Sequence, residues 1–213
     1  MIVSNRQNFI FVHIFKTAGT SIKRALRPYA MPKWKLPANQ VLKRIGLRQF
    51  APDFYPDHMT ASQLIHQTSL EEFTSKFSFA FVRNPWDWEV SHYKYILRMP
   101  RHANHEEVKR LGAFSEYVRW RCDQRFQLQR SFLSYEGQQV VNFVGRFETL
   151  NADFKTVAAQ LGISPRLKQL NRSRRTFYQE HYDAKTVDLI AETFRTDIEH
   201  FGYRFEPLQK SVA

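Results

Sequence analysis

Three short apolar runs divide the chain, and each leads into a stretch with helical periodicity. The runs lie at Phe9–Val12, Phe77–Val82 and residues 140–145. They are rich in phenylalanine and valine, which favour strands. Apolar positions then recur at three- and four-residue spacing at residues 20–26, 85–98, 151–161 and 184–201. Alternating strands and helices predict an α/β fold, a parallel β-sheet flanked by helices.

Capping residues mark several of the predicted helix starts. Asn84 is a good N-cap, and Pro85 after it suits the first helical position. Thr60 is expected to cap a helix that ends at Gln67, and Ser69 opens another with a capping box. These signals place the polar residues between strands and helices in short loops. The arginines between residues 98 and 130 are expected mostly on a solvated face.

The first strand leads into a loop of small and hydroxylated residues around one lysine. The loop consists of Lys16, Thr17, Ala18, Gly19, Thr20 and Ser21. A strand, a tight loop and a helix together point backbone N–H groups and a positive helix end at an anion. Gly19 would let the backbone approach a ligand, and Lys16 adds a point charge. The loop therefore predicts a phosphate cradle; a buried turn with an incidental lysine is the alternative.

The composition of the chain predicts an anionic binding partner but does not identify its chemical class. The 213 residues suffice for one domain over residues 1–213, and the net charge of +12 predicts an anionic partner. Nucleic acid, anionic polysaccharide, acidic lipid and a multiply charged cofactor all fit, as does a generally basic surface. No run reaches the roughly 18 apolar residues of a membrane span. The N-terminal residues lack signal-peptide order and Cys122 is the only cysteine, so a cytoplasmic protein without a metal site is expected.

The segment HIFKTAGTS closely resembles the H-x-P-K-T-[AG]-[GS]-[TS]-[ST] loop of carbohydrate-type sulfotransferases. In that family the loop holds the 5′-phosphosulfate of 3′-phosphoadenosine 5′-phosphosulfate (PAPS). The resemblance extends from about Phe9 to Phe205 and implies the P-loop nucleotide-kinase-like fold of those enzymes. Phe15 stands where the family usually has proline. The triphosphatase loop G-x-x-x-x-G-K-[ST] differs, because there the lysine follows the glycines.

A second segment, RNPWDWEVS, resembles the 3′-phosphate site of the same sulfotransferases. The resemblance implies that Arg83 and Ser91 bind that phosphate. Arg83 directly follows the second strand, where ligands of open α/β sheets bind, and a guanidinium can donate two bonds to one phosphate. Trp88 occupies a position where the family often has another arginine. A basic loop with Arg172, Ser173, Arg174 and Arg175 resembles the segment that closes over the nucleotide, although a solvated turn is the alternative.

His58 lies between a loop and the Thr60 helix, and a histidine there is ordinarily a capping or surface residue. In the uronyl 2-O-sulfotransferase branch, however, a catalytic histidine occupies this interval. That resemblance implies that His58 is the catalytic base, since an imidazole suits this task at neutral pH. Lys16 is the implied second catalytic residue, which stabilises charge on the leaving 5′-phosphate.

The function that follows is transfer of a sulfuryl group from PAPS to a hydroxyl acceptor, with a glycan as the expected acceptor. Two alternatives remain open at this stage. A metal-dependent phosphoryl transferase would share the cradle, but it needs a strand-end aspartate for magnesium, which neither strand supplies. A non-catalytic basic module for nucleic acid or polysaccharide would explain the charge alone. The sulfotransferase hypothesis predicts that the protein neither binds nucleic acid nor inserts into a membrane.

Overall fold

The computed structural model describes residues 1–30, 38, 41, 42, 44, 45, 55–167 and 177–206. Its elements in chain order are β1 Ile2–Ser4, β2 Phe9–Val12, α1 Gly19–Ala30, α2 Ala61–Gln67, α3 Leu70–Thr74, β3 Phe77–Val82, α4 Pro85–Arg98, α5 His105–Leu111, α6 Phe114–Asp123, α7 Gln129–Leu133, β4 Ser134–Tyr135, β5 Gln138–Gln139, β6 Phe143–Arg146, α8 Leu150–Gln160, a 3₁₀ helix Tyr178–His181, α9 Ala184–Thr193 and α10 Arg195–Phe201.

Contacts between residues group the chain into two compact units. The first comprises Met1–Val82 with Ser131–Leu170, and the second Arg83–Arg130 with Asn171–Ala213. Each has its own arrangement of helices, and the first contains the main sheet. A single domain over residues 1–213 stays a prediction.

The first unit contains a four-stranded sheet in the order β1-β2-β3-β6. Strands β2, β3 and β6 are parallel, with Val12 opposite Ala80 and Val82 opposite Arg146. Strand β1 pairs antiparallel with β2 and was not predicted. The predicted parallel sheet with flanking helices is confirmed. Its geometry places the carboxyl ends of β2, β3 and β6 at one edge, where α/β sheets bind ligands.

Aromatic residues from the two longest strands form the core of the first unit. Phe9, Phe11, Phe79 and Phe81 are fully buried and pack against residues of α1 and α8. On strand β2 alternate side chains point to opposite faces, and Ile10 lines a small cavity with Leu64 of α2 and Phe73 of α3. The strands are therefore covered on both faces, as their continuous apolar sequence predicts.

The second unit is helical, and Trp88 lies in its interior. Helix α4 packs against α5, α6 and α9. Trp88 has no exposed surface, and its ring meets that of Phe194 edge-on at a centroid distance of 6.1 Å. The adjacent Glu89 is also fully buried and accepts hydrogen bonds from the Tyr117 hydroxyl at 2.6 Å and Arg121 Nε at 3.2 Å. These bonds join α4 to α6 inside the unit.

Two predicted elements differ from the observed ones. The third strand begins at Phe143, not at residue 140, and the hairpin of β4 and β5 precedes it. The predicted final helix is two helices, α9 and α10, separated at Phe194. Apolar periodicity continues through both helices without a glycine or proline, so the local sequence does not mark the break. The side chain of Phe194, at the break, packs on Trp88.

Candidate functional site

Residues 13–18 form a tight loop between β2 and α1, at the carboxyl end of β2. Lys16 and Ala18 both have left-handed backbone angles, with φ of 63° and 66°, which is uncommon for residues with a Cβ. The Thr17 hydroxyl donates to the Ile14 carbonyl at 2.8 Å and so stabilises the turn. Alternation of left-handed with other residues aims successive N–H groups into one concavity, a known anion-binding geometry.

Helix α1 begins directly after this loop. The N–H groups of Ser21 and Ile22 donate to the Ala18 carbonyl at 2.9 and 3.2 Å, which closes the first turn. The first turn contains no acidic residue, so nothing on α1 itself opposes an anion at the positive helix end. Thr20 is exposed and Lys16 is half-buried, whereas Ser21 is buried. The six predicted cradle residues thus lie together in one loop and helix start.

His13 explains why residue 19 is glycine. The imidazole lies over the Gly19 Cα so closely that a Cβ there would come within 1.8 Å of the His13 Cδ2 and Nε2 atoms. The sequence predicts that this glycine lets the backbone approach a ligand. The structure gives it a second reason, because the histidine at the start of the loop packs directly against the helix start.

Replacing Gly19 with alanine should therefore displace His13. We expect the variant to lose about 1–3 kcal/mol of unfolding free energy, the usual range for an overpacked site. Chemical denaturation of Gly19→Ala, His13→Ala and the double variant would measure the coupling. Since His13→Ala removes the clashing ring, the alanine at position 19 should cost much less in that background. Equal costs in both backgrounds would contradict the contact.

His58 lies against this loop. Its Nδ1 is 3.2 Å from the His13 carbonyl oxygen, and the two imidazole centroids are 4.5 Å apart. A carbonyl can only accept, so Nδ1 carries the hydrogen and Nε2 of the neutral ring is the basic atom. Phe15, at the family's proline position, meets the His58 ring edge-on at 5.9 Å. His58 itself has a φ of 65°, a strained conformation of the kind found at functional sites.

Both histidines are held neutral near pH 7. Burial, together with the neighbouring His58, lowers the pKa of His13 to about 3. Burial also lowers the pKa of His58, although its bond to the His13 carbonyl and the charge of Asp57 oppose that effect. A neutral imidazole can accept a proton, so the electrostatics of the site fit a base.

Asp57 and Lys23 complete this cluster. Asp57 is about half exposed, and its carboxylate lies 2.5 Å from Lys23 Nζ and 3.6 Å from His13 Nδ1. Partial burial opposes ionisation of Asp57, but the hydrogen bond and charge of Lys23 hold its pKa below the usual value. Sequence reasoning missed His13, Lys23 and Asp57. Two features of the sequence could have pointed to them: Asp57 is adjacent to His58, and His13 is the first residue of the loop motif.

An open pocket of about 510 Å³ adjoins His58. Its lining residues are Pro56, Asp57, His58, Met59, Gln63, His66 and Gln67. The predicted loop–helix junction is confirmed, because Thr60 caps α2 in a reciprocal capping box with Gln63. The lining includes two glutamine and two histidine side chains, and such groups can bond hydroxyls.

Arg83 and Ser91 belong to the second unit. Arg83 directly follows β3, and its Nε donates to Asp87 Oδ2 at 2.7 Å. Asn84 caps α4 through the Trp86 N–H at 3.1 Å, and Pro85 is the first helical residue, both as predicted. Ser91 is half-buried and follows Asp87 by four residues, which places it on the same helix face.

Two further observations bear on this arginine site. Trp88 is in the core, so the residue at the family's second arginine position provides packing and cannot reach a phosphate. Lys94, which sequence reasoning missed, lies one turn beyond Ser91 on α4. Burial lowers its pKa, and it interacts electrostatically with both Asp87 and Arg83. Helical spacing therefore gathers Asp87, Ser91 and Lys94 on one face.

The remaining predictions concern other parts of the chain. Arg172, Ser173, Arg174 and Arg175 lie outside the described residues. Within residues that the structure describes, no group of three histidine, cysteine, aspartate or glutamate side chains could hold a metal ion. In the same part of the chain no helix is long and apolar enough to span a membrane.

Comparisons with known proteins identify the family. The model of the Sulfotransferase family matches residues 1–204. Among solved structures, the chain is similar to mouse sulfotransferase SULT7A1 in complex with PAP, with 14% sequence identity and a TM-score of 0.48. That match covers 94% of this chain and 84% of the mouse chain. No curated protein matches this sequence. Because the family model spans nearly all of its 213 residues, the chain belongs to the sulfotransferase family.

Proposed function

We propose that this enzyme transfers the sulfuryl group of PAPS to a hydroxyl of a glycan, with His58 as the base. Family membership supports sulfuryl transfer to a hydroxyl-bearing acceptor. The observation that carries the finer proposal is the 3.2 Å contact between His58 Nδ1 and the His13 carbonyl. This contact supports the proposal, because it joins His58 to the loop that would hold the reacting end of the donor.

The loop from residue 16 to residue 21 would hold the 5′-phosphosulfate. Its left-handed residues and the start of α1 are suited to an anion, and Lys16 supplies the cation. Lys16, Thr17, Ala18, Gly19, Thr20 and Ser21 are the proposed binding residues. Thr17 would act through its backbone, because its hydroxyl already bonds Ile14.

Arg83 and Ser91 would hold the 3′-phosphate. Asp87 orients the Arg83 guanidinium through Nε, and a planar guanidinium can bond two phosphate oxygens at once. Trp88 cannot provide the positive charge that the family's second arginine would carry. Lys94, on the same helix face as Ser91, would provide a positive charge near the 3′-phosphate instead. Arg172, Ser173 and Arg174 are proposed to close over the nucleotide, by resemblance to the family.

The proposed reaction is a single in-line displacement. The acceptor oxygen attacks sulfur and forms a new S–O bond, while the bond between sulfur and the 5′-phosphate oxygen breaks. The acceptor's proton passes to His58 Nε2. The departing 3′-phosphoadenosine 5′-phosphate (PAP) gains negative charge on its 5′-phosphate, which Lys16 and the loop N–H groups stabilise.

A glycan is the acceptor that the pocket and the charge of the chain favour. Gln63, His66 and Gln67 can bond sugar hydroxyls beside the proposed base. The net charge of +12 suits an anionic glycan chain on the surrounding surface. A single domain over residues 1–213 and a cytoplasmic location, for which the lone Cys122 is the argument, belong to the same proposal.

Titration calorimetry tests the donor directly. We expect the full chain to bind PAP more tightly than it binds ATP with magnesium. Arg83→Ala should weaken PAP binding by roughly 10- to 100-fold, the value of one charged, two-pronged contact. Arg98→Ala, an exposed arginine at the end of the same helix, is the matched control and should bind as wild type.

The outcomes separate the candidate functions. A preference for ATP with magnesium would favour a phosphoryl transferase. Binding of neither nucleotide, together with steeply salt-dependent binding of polyanions, would favour a non-catalytic basic module. Either result would contradict the proposed function.

A further inference from the structure

The main chain of Arg83 is held by one buried side chain, that of Gln129. The Arg83 N–H donates to Gln129 Oε1 at 2.9 Å, and Gln129 Nε2 donates back to the Arg83 carbonyl at 2.8 Å. Gln129 has no exposed surface. Because both ends of one amide bond one residue, the peptide groups on either side of the Arg83 Cα are held together.

Gln129 is fixed in turn by a buried carboxylate. Its N–H donates to Asp197 Oδ2 at 2.7 Å, and the N–H of Arg130 donates to Oδ1 at 2.8 Å. Asp197 has no exposed surface either. Its two oxygens therefore anchor the start of helix α7 and, through it, the Gln129 side chain.

Further hydrogen bonds hold the residues that follow Arg83 along the chain. The Asn84 side chain donates to the Arg204 carbonyl at 2.9 Å, and the Tyr182 hydroxyl donates to the Trp86 carbonyl at 2.9 Å. Asp87 holds the Arg83 side chain. Side-chain amide and hydroxyl groups thus hold the backbone at Arg83 and Trp86, and the Asn84 side chain is itself bonded.

We propose that Gln129 is a positioning residue for the donor: it clamps the Arg83 backbone so that the guanidinium meets the 3′-phosphate in one orientation. This inference rests on the proposed role of Arg83. Two parallel bonds from a guanidinium to a phosphate form only when the plane is correctly placed. A clamp formed before binding spares the ligand the cost of ordering that arginine.

A purely structural role for Gln129 makes a different prediction. Such a role would lower the stability of the folded chain and leave the donor affinity of the folded fraction unchanged. The clamp predicts weaker donor binding with chemistry largely intact, since the reacting atoms lie at the 5′ end of the donor.

The test is titration of PAP into the full chain with Gln129→Met, which keeps the side-chain length and removes both bonds. We expect Kd for PAP and KM for PAPS to rise roughly tenfold, one 1.4 kcal/mol step, while kcat changes less than about twofold. Gln127→Met, the same change at an exposed glutamine two residues earlier, should match wild type.

The outcomes distinguish failure of the Gln129 clamp from failure of the proposed role of Arg83. Wild-type affinity in folded Gln129→Met, with binding lost in Arg83→Ala, overturns the clamp and leaves the proposed function intact. Wild-type affinity in Arg83→Ala overturns both. If Gln129→Met does not fold, Asp197→Asn replaces it, and we expect a roughly threefold loss because one acceptor oxygen remains; unchanged affinity overturns the clamp. Hydrogen exchange gives a check in the wild type, where rapid exchange of the Arg83 amide would also overturn it.

Discussion

Lys16→Ala should lower kcat at saturating PAPS by about 10²- to 10³-fold, the usual cost of removing one group that stabilises charge in a transition state. The negative charge on the 5′-phosphate oxygen grows as the sulfur–oxygen bond breaks, so an ammonium group there binds the transition state more strongly than the ground state. Kd for PAP should change less, because the loop N–H groups are proposed to hold its 5′-phosphate as well. Single-turnover and steady-state kinetics together measure both quantities.

Alanine is a suitable replacement because of the backbone at this position. Lys16 has a φ of 63°, and alanine bears the same left-handed penalty as lysine, so the substitution removes the charge with little change in loop strain. Lys155→Ala, on the exposed face of α8, controls for the general loss of one positive charge and should retain wild-type turnover. Normal turnover of Lys16→Ala at saturating donor would remove Lys16 from the mechanism.

The sequence predicted those parts of the fold that local patterns encode. Strands β2 and β3 have the predicted bounds because each is a continuous apolar run buried on both faces. The start of α4 follows from Asn84 and Pro85, whose conformational preferences are intrinsic. Strand β1 escaped prediction because three residues are too few to establish a period.

Other features depend on partners distant in sequence. Arg121 was expected on a solvated face, but it is buried beside Glu89, 32 residues earlier in the chain. Gln129 bonds Arg83 across 46 residues and Asp197 across 68. A buried polar residue looks like a surface residue in a local pattern, and only its tertiary partner distinguishes the two.

In the candidate site, too, some features follow from the local sequence and others depend on residues distant in the chain. The resemblance of the loop motif named residues 16 to 21, and the structure brings them together because they are contiguous. The bond from His58 to the His13 carbonyl joins segments 45 residues apart, and the ring of the same His13 packs against Gly19. The resemblance to the uronyl 2-O-sulfotransferase branch pointed to His58, but only the fold shows which of its nitrogens carries the hydrogen.

His58→Asn should lower kcat/KM by about 10²- to 10⁴-fold, the contribution of a general base. Asparagine tolerates the left-handed φ of 65° better than most residues, and its side-chain amide can donate to the His13 carbonyl in place of Nδ1. The substitution therefore keeps the loop contact and removes the proton acceptor. His200→Asn, an exposed histidine in the second unit, is the matched control.

The dependence of kcat/KM on pH shows which titrating group acts as the base. A base acts when neutral, and the pKa of His58 is lowered by burial, so wild-type kcat/KM should be level near pH 7 and fall only below pH 6.5. Other charged groups face this histidine. Asp57 and Lys23 form an ion pair, burial lowers the pKa of the Met1 amino group to about 6, and burial lowers the pKa of His13 to about 3. His58→Asn should abolish the acid limb; a limb near pH 6 that persists in this variant would belong to the Met1 amino group and contradict His58 as the base.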